Sequence, residues 1–333
     1  MKILEIACDA PPHKGGISRC VGMLTDGLRQ RGHTVDVLSP KIRFRDYKFS
    51  TIPFHKHHNY DVIHIHGPTP FLSDLTLLTN SFSKIIYTHH AEITWLSEYL
   101  SRGYRVLHKA LAVRARAIVV SSNDYSELFR NTNVYVVPLP CPLKSVDSVK
   151  IEQKSCDFTV LYVGQFRPFK GIDLLIKTAS MLRDVNFAMV GEGYLKPKMI
   201  RMAHGLENVQ FYGTIDDQAL VQLYQKSHVI CLPSVNTCEA YGLVLVEGAL
   251  YSCVPLASSL LGVRETISRL QGISFKPRSH VDLISKIALL ASDRDLYMQT
   301  AFRSQRAAQD LVNTYSIEYY VNRYEDIMLE IVK

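Results

Sequence analysis

Short apolar runs alternate with longer amphipathic stretches along this chain, and the alternation starts afresh near its middle. That rhythm constrains the fold more than any other feature. The runs Lys2–Ala7, Thr34–Leu38, Val62–Ile65, Ile85–Tyr87, Ile118–Val120 and Val134–Val137 have strand length. The stretches Ile17–Arg31, Ser73–Ser81, Trp95–Arg116 and Tyr125–Arg130 separate them with helical spacing. Strand–helix alternation of this kind specifies a parallel sheet with helices on both faces, because each parallel connection must cross the sheet. In such sheets ligands gather at the carboxyl ends of the strands. Those ends carry Gly15-Gly16, His64, His66-Gly67, Thr88-His89-His90 and Ser121-Ser122, polar or small where a core would be apolar.

The second half repeats the pattern. VLYVGQFRPFKGIDLLIKTASML reads as strand, loop and helix; Asn186–Val190, Val209–Tyr212, Val229–Leu232 and Val254–Ala257 follow as strands. Leu283–Leu290, Asp295–Leu311 and Ser316–Val332 read as closing helices. Because 333 residues exceed what one core usually serves, two domains are expected. The segment from Leu139 to Asp157, proline-rich and then polar, is the best linker and sets domains at 1–142 and 158–315.

The most informative stretch is HVICLPSVNTCEAYGLVLVEGAL, His228 to Leu250. A short buried strand ends at Pro233-Ser234, and a polar loop then carries Glu239. After Gly242 the segment is apolar on every face, so as a helix it lies inside the protein, Glu247 included. A carboxylate there needs a partner, and a neighbouring side chain or backbone group would satisfy it as well as a ligand would. A helix N-terminus presents unpaired N–H groups that favour phosphate, and Gly242 lets a ligand approach the backbone.

Other features carry weaker signals. Gly15-Gly16 sits at a strand-to-helix turn without the pattern of a P-loop or of a dinucleotide fingerprint. Gly191-Glu192-Gly193 lacks the third glycine of that fingerprint. Arg167 and Lys170, in a loop with Gly164 and Gly171, could neutralise a diphosphate or merely pair with acids. His64 and His66 share a strand face, but no carboxylate lies at ligand spacing in sequence beside them, so no metal site is assigned. His55, His57 and His58 read as a solvated loop. Arg102, Arg105, Lys109 and Arg116 fall within about 60° of one another on a helical wheel, a stripe suited to water or to anionic lipid.

Composition excludes several classes. No apolar run approaches a membrane span, and the start is too short and too acidic for a secretory signal, so a cytoplasmic protein is expected. Seven cysteines without CxxC spacing imply reduced thiols. A formal charge of +7 suits phosphate-bearing ligands or an anionic membrane surface; no basic tract or known motif points to nucleic acid.

E-A-Y-G-L-V-L-V-E, with glutamates at 239 and 247, resembles the donor motif of retaining GT-B glycosyltransferases of family 4. So do the Gly-Gly loop, RGHTVDVL (Arg31 to Leu38), Thr88-His89-His90 as T-x-H, Lys170-Gly171 and Gly191-x-Gly193, in order along nearly the whole chain. The resemblance implies an α/β GT-B fold, two facing Rossmann-like domains with an interdomain cleft, and a last helix, 316–333, crossing back onto the first domain. It implies a retaining, metal-independent transfer from a nucleoside diphosphate sugar, with no cofactor, to a glycan or lipid-linked acceptor, on the cytoplasmic face of a membrane that a basic helix could touch. Arg167 and Lys170 would steady the leaving diphosphate, Glu239 the sugar hydroxyls, Gly242 and Leu243 the phosphate and sugar, and Glu247 the ribose. His90 would line the sugar's reacting face, with Gly16, Gly164, Gly191 and Gly193 near the donor. Two departures stand out: Gln165 occupies the family's arginine place, two before Arg167, and Pro138-Leu139-Pro140-Cys141-Pro142 replaces the usual linker sequence. A GT-B epimerase, a metal-dependent hydrolase built on His64 and His66, and a non-catalytic sugar-nucleotide-binding subunit are the competing readings.

Overall fold

The computed structural model describes residues 1–11, 15–39, 42–44, 47–49, 59–79, 84–93, 98–129, 132–143, 154 and 157–333. The chain opens with β1 (Lys2–Ala7), α1 (Gly16–Gln30), β2 (Thr34–Leu38) and an antiparallel hairpin, β3 (Ile42–Phe44) with β4 (Tyr47–Phe49). Then come β5 (Val62–Gly67), α2 (Leu72–Thr79), β6 (Ile85–His89), α3 (Glu98–Ala112), β7 (Ala117–Val120), the single turn α4 (Asn123–Ser126) and β8 (Val134–Val136). The second series runs β9 (Thr159–Val163), α5 (Ile172–Met181), β10 (Asn186–Val190), α6 (Lys196–Met202), β11 (Val209–Gly213), α7 (Asp217–Lys226) and β12 (Val229–Leu232). It continues with α8 (Leu243–Leu250), β13 (Val254–Ser258), α9 (Val263–Arg269), β14 (Ile273–Phe275), α10 (His280–Ser292) and α11 (Arg294–Thr314), and α12 (Ile317–Val332) closes the chain.

Backbone contacts divide this series into two units, Met1–Pro142 with Tyr315–Lys333, and Leu143–Thr314. Each holds a six-stranded parallel sheet, in the order β2-β1-β5-β6-β7-β8 in the first and β11-β10-β9-β12-β13-β14 in the second. In the first unit Ile3, Val62, Ile86 and Val119 of the sheet pack with Leu24 and Leu28 of α1 and with Tyr320, Tyr324 and Ile327 of α12. Helix α12 lies so close to α1 that a β-carbon at Gly27 would fall 2.4 Å from Val321 Cγ2. The turn after α1 ties it down, with Arg31 and His33 meeting Glu325 at 2.5 and 2.7 Å. Each of its fully buried large side chains contributes about 1.5–3 kcal/mol, which outweighs those half-exposed ion pairs as the reason the last helix belongs to the first unit.

In the second unit Val160, Tyr162, Phe187, Val229 and Leu256 of the sheet meet Ile172, Leu175, Leu283 and Ile287 of α5 and α10. Side-chain caps start three of its helices, Asp216 accepting from Ala219 N–H at 2.7 Å, Ser279 from Asp282 N–H at 3.2 Å and Asp293 from Leu296 N–H at 2.9 Å.

Several elements differ from the sequence expectation. Strands β5 and β6 run on to Gly67 and His89, past Ile65 and Tyr87, because their terminal polar side chains find partners inside the sheet. Helix α3 ends at Ala112, so Arg116 lies beyond it, its backbone N–H bonded to Ile85 C=O at 3.0 Å. Residues 94–97, where that helix was expected to begin, lie outside the described residues. The hairpin, α6, α7, α9 and β14 were not anticipated.

Candidate active site

The strand order fixes where a ligand can sit in the second unit. From β9 the chain moves outward to β10 and β11 on one side, then crosses to β12 on the other. Loops leaving β9 and β12 therefore part in opposite directions and leave a crevice at the strand ends. Those loops carry residues 164–171 and 233–242, the two segments singled out in the sequence.

Lys170 and Glu239 meet there, with Nζ 2.5 Å from Oε2 and side chains only 17% and 13% exposed. Ser234 Oγ donates to the same carboxylate oxygen at 3.1 Å. The close approach depends on Gly171, at φ 64°, where a β-carbon would fall 2.0 Å from Pro233 C=O. Only glycine takes that backbone cheaply, and only glycine fits beneath the other loop. Arg167 opens the same turn and is half-buried. Gln165, in the family's arginine place, instead accepts from Tyr162 through its backbone C=O at 2.9 Å.

Gly242, at φ 78°, forms the N-terminal boundary of α8. No side chain caps that end and the first turn carries no acid, so the dipole and N–H groups of Leu243 and its neighbours are left for an anion. Leu245 to Leu250 are all buried, as an apolar helix requires. Glu247 lies among them at 3% exposure and its Oε2 accepts from Tyr224 O–H at 2.8 Å. The bland partner for this carboxylate is therefore present, and that contact also fixes its orientation. Gly164, Gly191 and Gly193 have a packing role: β-carbons at Gly191 and Gly193 would fall 2.0 and 2.6 Å from the C=O groups of Gly164 and Phe166. They let the loops after β9 and β10 touch through backbone.

In the first unit the reversal falls between β1 and β5. Gly16 is the first residue of α1, where a β-carbon would meet nothing within 4 Å, and no side chain caps that helix either. Beside it in the sheet, register puts Glu5 opposite His64 and His66 opposite Thr88. Glu5 Oε2 lies 2.8 Å from His64 Nδ1, without the alignment of a hydrogen bond, and 2.7 Å from His66 Nε2, with it. His66 Nδ1 pairs with His90 Nε2 at 2.8 Å, and His64 Nε2 with Thr88 Oγ1 at 2.7 Å, which in turn meets Tyr324 O–H at 2.9 Å.

This corrects the expectation that the H-x-H pair has no carboxylate beside it. Glu5, His64 and His66 offer donor atoms within 4.8 Å of one another, a set that could hold a divalent cation. Sequence reasoning missed Glu5, although a lone acid inside an apolar strand buried on both faces must find a partner. Burial raises the Glu5 carboxyl but the two imidazoles outweigh it, leaving it at about 2. Burial, reinforced by His64, lowers His66 to about 4 against the pull of Glu5. Burial likewise lowers His90 well below the usual histidine range.

His89 and His90 separate cleanly. His89 points into a different cluster, 3.3 Å from Tyr87 O–H and packed on Tyr125 and Phe129, with His108 and Asp74 beyond. His90 alone of the two joins the Glu5 network. His55, His57 and His58 lie outside the described residues.

The basic stripe is broken. Arg105 pairs with Glu92 at 3.1 Å, and Arg116 is off the helix, which leaves Arg102 and Lys109 as the exposed cations of α3. Beside them the outward face is apolar: Tyr99, Leu100, Val106 and Leu107 are 86, 60, 72 and 59% exposed. No helix among the described residues is long and apolar enough to cross a membrane.

Two parallel-sheet units in one chain, each with its strand-order reversal lined by helix N-termini and buried charge, define the GT-B class. Residues 145–306 match the family model of glycosyl transferases group 1. The chain is 25% identical to the O-antigen chain mannosyltransferase C of Escherichia coli over 96% of both chains. It is 26% identical to a phosphatidyl-myo-inositol mannosyltransferase of Mycobacterium tuberculosis over 76% of both. Its fold is that of Anabaena Alr3699/HepE, solved in complex with UDP-glucose, with TM-score 0.74 at 18% identity over 99% of this chain and 100% of that one. The second unit thus matches the group 1 glycosyltransferases, and the fold of the chain is GT-B.

Proposed function

We propose that this protein moves a hexose or N-acetylhexosamine from a nucleoside diphosphate sugar to a hydroxyl of a polysaccharide or glycolipid intermediate, with retention and without a metal ion. The single observation that carries the donor assignment is the Lys170–Glu239 pair, held in the crevice beside the open N-terminus of α8. Without donor the two neutralise each other. An arriving diphosphate takes Lys170, with Arg167 and the Gly242–Leu243 backbone beside it, and releases Glu239 to accept from the sugar hydroxyls. Glu247, oriented by Tyr224, serves the ribose. Gly16 and His90 serve the acceptor and the transferred sugar. The bond between the anomeric carbon and the diphosphate oxygen breaks as the acceptor oxygen bonds to the same face, and the acceptor proton passes to the departing phosphate. Cations and a helix dipole already aimed at that phosphate supply the electrostatic stabilisation that a metal would otherwise give.

The named relatives, an O-antigen and a phosphatidylinositol mannosyltransferase, favour an acceptor on a growing polysaccharide or on lipid. The exposed apolar face of α3, edged by Arg102 and Lys109, supports a second reading, reversible contact with an anionic bilayer. Donor hydrolysis across UDP-, GDP- and ADP-sugars tests the first reading. At least one donor should turn over, and Glu239→Ala should slow it by about 100-fold. Hydrolysis that survives Glu239→Ala would sink the assignment.

A further inference from the structure

A single buried anion sets the direction of the hydrogen-bond chain in the first unit. Glu5 is fully buried and, as a carboxylate, only accepts. The aligned 2.7 Å contact therefore places a proton on His66 Nε2. A neutral imidazole carries one proton, so His66 Nδ1 must be the acceptor in its 2.8 Å contact with His90. The proton in that contact then belongs to His90 Nε2. His90 is left with Nδ1 as its lone-pair nitrogen. Its backbone is fixed as well, with N–H donating to Gly67 C=O at 2.8 Å, and its ring stacks on His66 at a 5.1 Å centroid separation.

We infer that Glu5 and His66 are positioning residues that hold His90 as a neutral Nε2–H tautomer, so that it meets substrate as a hydrogen-bond acceptor from a hydroxyl. This rests on the reading of His90 as a residue of the sugar-transfer site. An imidazole presenting N–H would repel the hydroxyl hydrogen it has to receive. One presenting a lone pair orients that hydroxyl and leaves its oxygen lone pairs pointing away.

A bound cation would replace the Glu5–His66 bond and reverse the His66–His90 bond. It would take the lone pair of His66 Nε2, move the proton to Nδ1, and so leave His90 accepting at Nε2 and protonated at Nδ1. The two states differ in the tautomer of both rings.

Nitrogen-15 histidine NMR of the intact protein, with His90 assigned by comparison with His90→Gln, reads the tautomers directly. The expected result is Nε2–H on both His66 and His90 at pH 7.5, with less than 0.1 equivalent of transition metal by elemental analysis. Nδ1–H on His90, or stoichiometric metal lost to chelator with a change of tautomer, overturns the inference. Glu5→Gln, whose amide can donate to His66, should move both rings toward Nδ1–H. It should lower kcat about tenfold while donor KM stays within twofold, and Glu5→Asp, which restores the anion, should recover most of the loss. Unchanged kcat in Glu5→Gln while His90→Ala is inactive would overturn the positioning role alone. A fully active His90→Ala would instead remove His90 from the transfer reaction, whatever its tautomer. The wild-type spectrum decides the tautomer even if a variant fails to fold.

Discussion

Truncating either partner of the Lys170–Glu239 pair should reveal both a structural and a ligand-dependent role. The gross attraction of unit charges 2.5 Å apart is ~7 kcal/mol at an effective dielectric of about 20. Most of it is offset by desolvation, and exposures of 17% and 13% place the pair between surface bridges and fully buried ones. Lys170→Ala or Glu239→Ala should therefore destabilise the protein by ~2 kcal/mol, about 4–8 °C in Tm for a unit of this size. The double variant should cost little more than either alone, since the second truncation removes a charge already stranded. Differential scanning calorimetry measures this cycle, and additive losses within ~0.3 kcal/mol would show that the side chains do not interact. Calorimetric titration with free nucleoside diphosphate gives the ligand half. Lys170→Ala should weaken binding, while Glu239→Ala should leave it equal or tighter, because Glu239 competes with the diphosphate for the same ammonium. Equal weakening in both variants refutes that competition.

Three further outcomes follow from other parts of the structure. Glu247→Ala should weaken nucleotide binding more than it slows turnover, and Tyr224→Phe should reproduce part of that loss by releasing the carboxylate; nucleotide affinity unchanged in Glu247→Ala ends the ribose role. Stability should fall as pH drops below 6.5, because unfolded histidines take protons that His66 (about 4) and His89 (about 3) refuse when folded. At about 1.4 kcal/mol per pH unit for each refused proton, chemical denaturation at pH 7.5 and 4.5 should differ by several kcal/mol, and a flat profile would contradict the buried neutral rings. Anionic vesicles should bind the protein at low salt and neutral ones should not; Val106→Asp with Leu107→Asp should abolish this without altering donor hydrolysis, whereas binding that survives would clear α3 of the role.

The sheets were legible in the sequence because parallel strands buried on both faces leave unbroken apolar runs, as β7, β9 and β12 do. Polar strand ends hid the true length of β5 and β6, since His66, Thr88 and His89 lie past the apolar runs and their partners come only from the folded sheet. The crevice between the loops after β9 and β12 was visible because its residues are local in sequence: Lys170-Gly171 and Glu239 to Glu247 each lie within one loop and helix. The Glu5 network was not, because it joins residues about 60 and 85 positions apart through sheet register alone. The stripe on α3 misled for a related reason. A helical wheel shows which side chains share a face, not that Glu92 waits beside Arg105 or that the helix stops before Arg116.

The most direct measurement is proton NMR of the reaction in EDTA, with the donor that hydrolyses fastest and a lipid-linked or oligosaccharide acceptor. The account predicts release of nucleoside diphosphate, undiminished by the chelator, and a new glycosidic bond whose anomeric coupling matches the donor's. Loss of activity restored by a divalent ion, an inverted anomeric signal, or an altered sugar formed without acceptor would contradict it.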